Sequence, residues 1–286
     1  MQNIREIIKS SRPVSWVNTA FPFAAAYLVV SGTVDWRLVV GALYFLIPYN
    51  LLMYGINDVF DYESDLRNPR KGGIEGAVLA KKLHKPIIWA SVASNAVFLV
   101  PLLWAGNWVA AAVLAAVVFL VVAYSAPVLR FKERPVLDSL TSSAHFVGPM
   151  VYALSLAGWP AVATPLVIAF FLWGMASHAF GAVQDIIADR EAKISSIATV
   201  FGARGTVRFA FVLYVAAAAI LFTYGPAGYG VALAGLLYAA NTAPFLHITD
   251  ATCEQANKGW RRFIWLNLVA GFVVTITLIL VAGRAA

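Results

Sequence analysis

The chain has 286 residues, of which 61% are hydrophobic and 12% charged, and its mean hydropathy is +0.77. Soluble domains are about 45–50% apolar and about 25% charged, so this composition excludes a water-soluble protein. The single cysteine, Cys253, excludes an intramolecular disulfide and a CxxC metal site. Net charge +7 would suit nucleic acid, but in a membrane protein an excess of Lys and Arg indicates cytoplasmic loops against anionic lipid, so we expect no nucleic-acid partner.

Nine stretches almost free of charge are each near the length that a helix needs to span a membrane. Only helices satisfy their own backbone hydrogen bonds in lipid without closing a barrel, and these runs are too long for barrel strands. We therefore predict an all-α polytopic membrane bundle of nine transmembrane helices, filling residues 1–286 as a single domain. The predicted spans are 14–31, 38–56, 86–105, 108–126, 140–158, 161–183, 209–224, 229–245 and 263–282.

The distribution of charge between these spans predicts the topology. Alternate connections, beginning with the N-terminus, carry 19 of the 21 Lys and Arg residues and 13 of the 14 Asp and Glu residues, with Asp35 the only acid outside them. Since Lys and Arg favour the cytoplasmic side, the N-terminus is expected in the cytoplasm and the C-terminus outside. We expect a multi-pass cell-membrane protein whose working surface faces the cytoplasm.

The first acidic motif follows the second predicted span, where residues 57–65 read NDVFDYESD. If the helix continues through this run, Asn57, Asp61 and Asp65 lie at i, i+4 and i+8 on one face, and Asp58 is three residues from Asp61. Like charges are then stacked at the end of a membrane helix.

A second acidic motif, at the end of the sixth predicted span, places Asp185 and Asp189 four residues apart. Stacked like charges repel and ionisable residues at membrane depth are expensive, so a compensating cation is the simplest explanation. Hard oxygen ligands favour Mg²⁺, which usually takes one or two carboxylates and completes its shell with water and phosphate oxygens. The predicted metal ligands and catalytic residues are Asp58, Asp61, Asp65, Asp185 and Asp189.

Basic residues follow both acidic motifs and also the fourth predicted span. A metal ion with Arg and Lys around one pocket is the usual way to hold and release a diphosphate leaving group. The alternative interpretations are a solvated helix end for the acids and positive-inside topology for the bases. The bases closest to span ends are preferred as ligands, and they are Lys71, Arg130, Lys132 and Lys193.

Histidine and aromatic residues give weaker signals. His145 and His178 lie within apolar spans and show no HxxxH or HExxH spacing, so we expect structural or pocket-lining roles. Aromatic side chains are expected mainly in interface belts and packing, although aromatic faces inside a bundle also stabilise carbocations.

The pattern Asn57-Asp58-x-x-Asp61-x-x-x-Asp65, paired with Asp185-x-x-x-Asp189 on a nine-span bundle, resembles the UbiA-type family of intramembrane prenyltransferases. The resemblance implies that both aspartate motifs hold Mg²⁺ and a prenyl diphosphate in a pocket that is open to lipid. It also implies diphosphate contacts for the segment 124–132. The candidate diphosphate-binding residues are then Asn57, Arg67, Lys71, Tyr124, Arg130, Lys132, Arg190 and Lys193.

Four segments, 11–20, 54–76, 124–135 and 248–251, resemble more closely the lycopene elongases of actinobacterial C50 carotenoid synthesis. This resemblance implies dimethylallyl diphosphate as donor and lycopene as acceptor, lengthened from C40 through C45 to C50. Residues 68–73 read NPRKGG, where many quinone-forming members have an Arg-Pro-Leu-x-x-Gly run, and this difference argues against an aromatic acceptor.

Two alternatives stay open at this point. One is a prenyltransferase of the same family with a quinone-, haem- or chlorophyll-type acceptor. The other is a non-enzymatic protein, either a membrane cation transporter or a catalytically silent membrane partner, that uses the acids as a binding site. A transporter should place charge near the bilayer midplane, whereas these acids lie at cytoplasmic span ends.

Overall fold

The computed structural model describes residues 2–66 and 79–285, with the side chains of 4–63, 66, 79–263 and 265–281. Every regular element in these ranges is a helix, which confirms the all-α class. The α-helices are α1 (Gln2–Ser10), α2 (Val17–Ser31), α3 (Trp36–Leu46), α4 (Pro48–Asn50), α5 (Ile56–Phe60), α6 (Tyr62–Asp65), α7 (His84–Leu103), α8 (Trp108–Ser125), α9 (Leu137–Ala157), α10 (Ala163–Val183), α11 (Ile186–Glu191), α12 (Ile197–Phe222), α13 (Pro226–Thr242) and α14 (Asn257–Ala285). The other helical segments are the 3₁₀ turns Pro13–Ser15, Lys81–Leu83, Phe131–Glu133, Ala243–Phe245 and Asp250–Ala256 and the π-helical turn Leu51–Gly55.

Seven helical segments of the described ranges are long and apolar enough to cross a membrane. Helices also occupy the other two predicted spans, but α13 has only 17 residues and the first half of α9 carries Thr, Ser and His side chains. The count of nine spans therefore stays a prediction. The seven spanning segments are Pro13–Ser31, Trp36–Phe60, Lys81–Leu103, Trp108–Ser125, Ala163–Val183, Ile197–Phe222 and Asp250–Val281.

The chain divides into two compact units, each with its own core. The first comprises residues 1–131 and 144–159, and the second comprises 132–143 and 160–286. Apolar and aromatic side chains fill both cores, as burial of large rings favours. The buried rings of the first core include Phe23, Tyr27, Tyr44, Phe45, Tyr49 and Tyr152. The rings of the second include Trp173, Phe180, Tyr214, Tyr238, Trp260 and Phe263.

The loop between α2 and α3 is fixed by Asp35. Its carboxylate accepts hydrogen bonds from the Arg37 and Leu38 N–H groups at 3.0 and 3.1 Å and from the Tyr27 hydroxyl at 2.8 Å. Burial acts to raise the pKa of Asp35, but these hydrogen bonds outweigh it and hold that pKa below its ordinary value. Asp35 therefore caps α3 and joins it to α2.

The second spanning segment, Trp36–Phe60, is broken near its middle. Pro48 has no N–H group to donate, so the helix ends at Leu46 and resumes as α4 and the π-helical turn. The buried Asn50 amide donates to the Phe45 and Leu46 carbonyls at 2.8 and 3.1 Å, which satisfies groups at the break. This break immediately precedes the first acidic motif and sets its position.

In the second unit, α12 is broken near its start. Gly202 has φ +70° and ψ 167°, a conformation that L side chains rarely adopt, and the next N–H group, of Ala203, donates to Asp250 Oδ1 at 2.7 Å. Asp250 begins the 3₁₀ turn that precedes α14. The carboxylate thus caps the longer part of α12 and ties the turn to it.

Candidate active site

The first acidic motif lies in the first unit, directly after the π-helical turn. Asn57 and Asp58 belong to α5, Asp61 terminates it, and α6 adds one more turn. Asp58 is 1% exposed and Asp61 is 7% exposed. Two carboxylates are therefore buried at the end of a membrane helix, an arrangement that needs positive charge nearby.

Arg12 supplies positive charge to Asp58. Its Nη2 donates to Asp58 Oδ1 at 3.0 Å, and its guanidinium lies 4.3 Å from the centroid of the Tyr54 ring. Arg12 has φ +50°, in the left-handed region, and Pro13 follows it. Sequence reasoning did not select Arg12 as a site residue, since the run 11–20 served only to indicate the subfamily.

Asn57 connects the motif to α8. Its Nδ2 donates to Asp61 Oδ2 at 2.8 Å and to Ser125 Oγ at 3.0 Å. The first contact confirms that Asn57 and Asp61 share a face at i, i+4. The second brings the end of α8 to the motif.

Two further predicted residues of the first unit lie at the end of α8 and just beyond it. Arg130 Nη2 is 3.8 Å from Asp61 Oδ1, and the Arg130 backbone is left-handed at φ +40°. The Tyr124 ring packs edge-on against His145, with centroids 5.1 Å apart. Arg130 therefore reaches the motif as its position after the fourth span suggested, and Tyr124 lies one residue before the Ser125 that contacts Asn57.

The second acidic motif lies in the second unit, where α10 passes into α11. Asp185 precedes α11 and its carbonyl accepts the Asp189 N–H at 2.8 Å, so the two aspartates keep the predicted i, i+4 spacing. Both are half-buried. Lys193 follows with φ +57°, and the Ile194 N–H returns to the Asp189 carbonyl at 2.8 Å, which closes the helix end.

Arg190 makes contacts within the second unit that the sequence did not indicate. Its Nη1 pairs with Asp250 Oδ2 at 2.7 Å, and its Nη2 donates to the Thr199 carbonyl at 2.8 Å. The guanidinium thus holds α11 to α12 and to the turn at Asp250. A diphosphate contact of Arg190 stays a prediction, as does one of the half-buried Lys132.

Three predicted site positions, the Asp65 side chain, Arg67 and Lys71, lie outside the described residues. Within the described ranges, no group of three or more His, Cys, Asp or Glu side chains is placed to hold a metal ion by itself.

The donor set of each motif nevertheless fits a magnesium–diphosphate complex. Both motifs offer hard carboxylate oxygens in pairs, and Mg²⁺ usually takes one or two carboxylates and fills its shell with phosphate and water oxygens. Arg12 and Arg130 supply part of the positive charge beside the first motif, and a bound cation as its further counter-charge stays a prediction. The site is built to carry positive charge beside its acids, which is what a diphosphate requires.

Comparison with known proteins identifies the family. The family model described as the UbiA prenyltransferase family matches residues 19–282. The chain is 54% identical over 281 residues to a lycopene elongase/hydratase of Corynebacterium glutamicum, covering 98% of both chains. It is 54% identical over 274 residues to a C50 β-cyclic carotenoid biosynthesis protein of Dietzia sp., covering 93% of this chain and 62% of that protein.

A solved structure has the same fold. The UbiA homologue of Archaeoglobus fulgidus bound to dimethylallyl diphosphate and Mg²⁺ superposes with a TM-score of 0.68 at 18% identity, covering 94% of this chain and 99% of that one. The chain therefore belongs to the UbiA prenyltransferase family, and it is a prenyltransferase embedded in a membrane.

Proposed function

We propose that this chain transfers dimethylallyl units from dimethylallyl diphosphate to the ends of lycopene, lengthening the C40 carotenoid to C45 and then C50. The observation that carries the proposal is its 54% identity with the Corynebacterium lycopene elongase/hydratase over 98% of both chains. The two aspartate motifs support it, since they offer oxygen ligands and adjacent positive charge for a diphosphate donor.

The proposal assigns Mg²⁺ to the carboxylates and the diphosphate to the polar and basic residues around them. When bound, Mg²⁺ neutralises negative charge on the leaving diphosphate. The metal ligands are Asp58, Asp61, Asp65, Asp185 and Asp189. The diphosphate ligands are Asn57, Arg67, Lys71, Tyr124, Arg130, Lys132, Arg190 and Lys193.

The chain's own residues act before and during bond breaking. Arg12 holds the buried Asp58 carboxylate in place through a charge-assisted hydrogen bond of 3.0 Å. Asn57 orients Asp61 by a direct hydrogen bond. Basic side chains such as Arg130 bind the diphosphate and stabilise the charge that develops as its C–O bond breaks. The apolar core of the bundle excludes water from the allylic cation, which the terminal alkene of the acceptor then attacks.

The proposal also places the chain in the cell membrane with nine spans, the N-terminus and the site on the cytoplasmic side and the C-terminus outside. The division of Lys and Arg supports this orientation. The partners are the prenyl diphosphate, the lipophilic acceptor and the lipid bilayer, and residues 1–286 act as one domain.

Production of the protein in cells that accumulate lycopene tests the proposal. We expect masses of the C45 and C50 products in cells with the natural chain and only lycopene in cells with Asp189→Ala. Prenylation of an added quinone, haem or chlorophyll precursor without elongated carotenoid would instead support the first alternative. Metal-dependent cation uptake without any prenyl transfer would support a transporter.

A further inference from the structure

A buried polar cluster in the second unit joins α9 to α10. His178 Nδ1 and Ser139 Oγ are 3.0 Å apart. The neighbouring Asp138 accepts the Ser139 N–H at one carboxylate oxygen and the Ile197 N–H at the other, both at 2.7 Å. Asp138 and Ser139 are both 0% exposed. A histidine inside a spanning helix is thus held by a serine and backed by a buried carboxylate.

Small residues bring α9 and α10 close together away from this histidine. Farther along the same helix pair, Ser143 donates to the Phe171 carbonyl at 2.7 Å, and a Cβ on Gly174 would collide with Ser143. Small residues therefore already secure close approach of α9 and α10. An ionisable group in a membrane helix costs free energy on insertion, so its presence indicates a function.

The position of His178 relates it to the second acidic motif. His178 and Asp185 are seven residues apart across the end of α10, so they lie on nearly the same face. At a rise of 1.5 Å per residue the imidazole lies about 10 Å farther from the cytoplasmic end than Asp185. If Asp185 holds the donor's diphosphate through a metal ion, the prenyl group extends along this face toward the histidine.

Elongation of an alkene requires a proton acceptor whatever its final product. The donor's C–O bond breaks with its electron pair on the diphosphate, and the alkene π pair forms the new C–C bond, leaving a tertiary cation. That cation either loses a proton from an adjacent carbon, whose C–H pair becomes a double bond, or takes an oxygen lone pair from water, whose proton then departs. One proton leaves by either route.

We infer that His178 accepts that proton, as a catalytic base of the elongation set out under the proposed function. In the tautomer that this role requires, Nδ1–H donates to the Ser139 Oγ at 3.0 Å, and Nε2 carries the lone pair that takes the proton. The buried carboxylate of Asp138, next to Ser139 in the chain, supplies negative charge near the imidazolium that forms. Ser139 is a positioning residue that sets the ring's orientation.

The test compares His178→Gln with His247→Gln, the same substitution at an exposed histidine outside this cluster. Both full-length variants are assayed in membranes with lycopene, dimethylallyl diphosphate and Mg²⁺. We expect His178→Gln to lower kcat by about 100-fold, within the range for a positioned base, with donor KM and thermal unfolding unchanged. His247→Gln should match the natural chain. Added imidazole should restore turnover to His178→Ala but not to Asp189→Ala, because only the former lacks a base.

Two results would overturn the inference while the proposed function stands. One is natural turnover and an unchanged product pattern in His178→Gln. The other is that lower thermal stability or a raised donor KM accounts for the lost activity of His178→Gln, while imidazole does not restore turnover to His178→Ala. This combination would show that His178 has a structural role. If the natural chain yields no elongated carotenoid, the proposed function fails and the inference fails with it.

Discussion

The ion pair between Arg12 and Asp58 supplies the positive charge that a buried carboxylate at the end of a membrane helix needs. The Asp58 side chain is fully buried, and the guanidinium that pairs with it belongs to a residue 46 positions earlier in the chain. Arg12 adopts φ +50°, which costs of order 1–3 kcal/mol for a residue with a side chain. The local strain at Arg12 is offset by the charge that it neutralises.

Replacement of Arg12 by Ala should therefore destabilise the protein. The expected loss in the free energy of unfolding is about 3 kcal/mol, the low end for breaking a buried pair, because the Arg12 side chain is 23% exposed. Thermal unfolding in detergent measures it, with the exposed Arg5→Ala as control. Equal midpoints for the two variants would show that Asp58 does not depend on Arg12.

Loss of a motif carboxylate should abolish prenyl transfer while the chain still inserts into the membrane. Asp61→Ala and Asp189→Ala each remove a proposed oxygen ligand of Mg²⁺ and also relieve repulsion between neighbouring acids, so we expect catalysis to suffer far more than stability. Turnover of dimethylallyl diphosphate in membranes measures the effect, and Glu6→Ala, which removes only an exposed ion pair, is the control. Substantial turnover by either aspartate variant, or full activity in excess chelator, would contradict the metal role.

Contacts between residues close in sequence could be predicted, and contacts between residues far apart in sequence could not. The spacing of Asn57 and Asp61 predicted a shared face, and a direct hydrogen bond joins them. The pairing of Arg12 with Asp58 and of Arg190 with Asp250 crosses 46 and 60 positions, and helical periodicity carries no information over such separations.

For the helices, the sequence predicted their approximate location but not where each one begins. Charge-free runs located the helices, but the predicted seventh span began at 209, whereas α12 begins at Ile197 and includes Arg204 and Arg208. Charge marks where a helix meets water rather than where it starts. The start of α12 is set by a capping box, in which the Ser196 Oγ accepts the Thr199 N–H.

The break in α12 gives a prediction for two neighbouring glycines. Gly202→Ala should lower the free energy of unfolding by about 1–3 kcal/mol, since alanine is strained at φ +70° and its Cβ would lie 3.1 Å from Asp250 Oδ1. Gly205→Ala is the matched control, because its Cβ would meet only ordinary contact at 3.5 Å and alanine favours a helix. Thermal unfolding of both variants measures this difference. A Gly202→Ala variant as stable as Gly205→Ala would contradict the capping role given to Asp250.

For the whole molecule, composition predicted the membrane class and the family motifs predicted the chemistry. The number of spans did not follow as securely, because polar side chains in α9 and the short length of α13 weaken two of the nine candidates. Those polar side chains include Ser139, which contacts His178, so the proposed functional cluster and the weak hydropathy signal of α9 have the same cause.

The topology can be measured directly. With 19 of the 21 Lys and Arg residues in alternate connections, a reporter fused after residue 286 should face outward and one inserted near residue 73 should face the cytoplasm. An odd number of spans separates the first residue from the last in this arrangement. Both reporters on the same side of the membrane would contradict the nine-span topology.

We propose that one diphosphate site adds dimethylallyl units to lycopene, one end at a time. An extended carotenoid is comparable in length with the ~30 Å hydrocarbon core, so one terminus lies far from the site while the other reacts. The half-elongated product must withdraw and bind again in the reverse direction.

A time course in membranes with lycopene and scarce dimethylallyl diphosphate tests this claim, with products identified by mass. We expect the C45 carotenoid to accumulate first and the C50 carotenoid to follow at its expense. C50 from the earliest time points with no C45 would contradict separate binding events, and no elongated carotenoid at all would contradict lycopene as the acceptor.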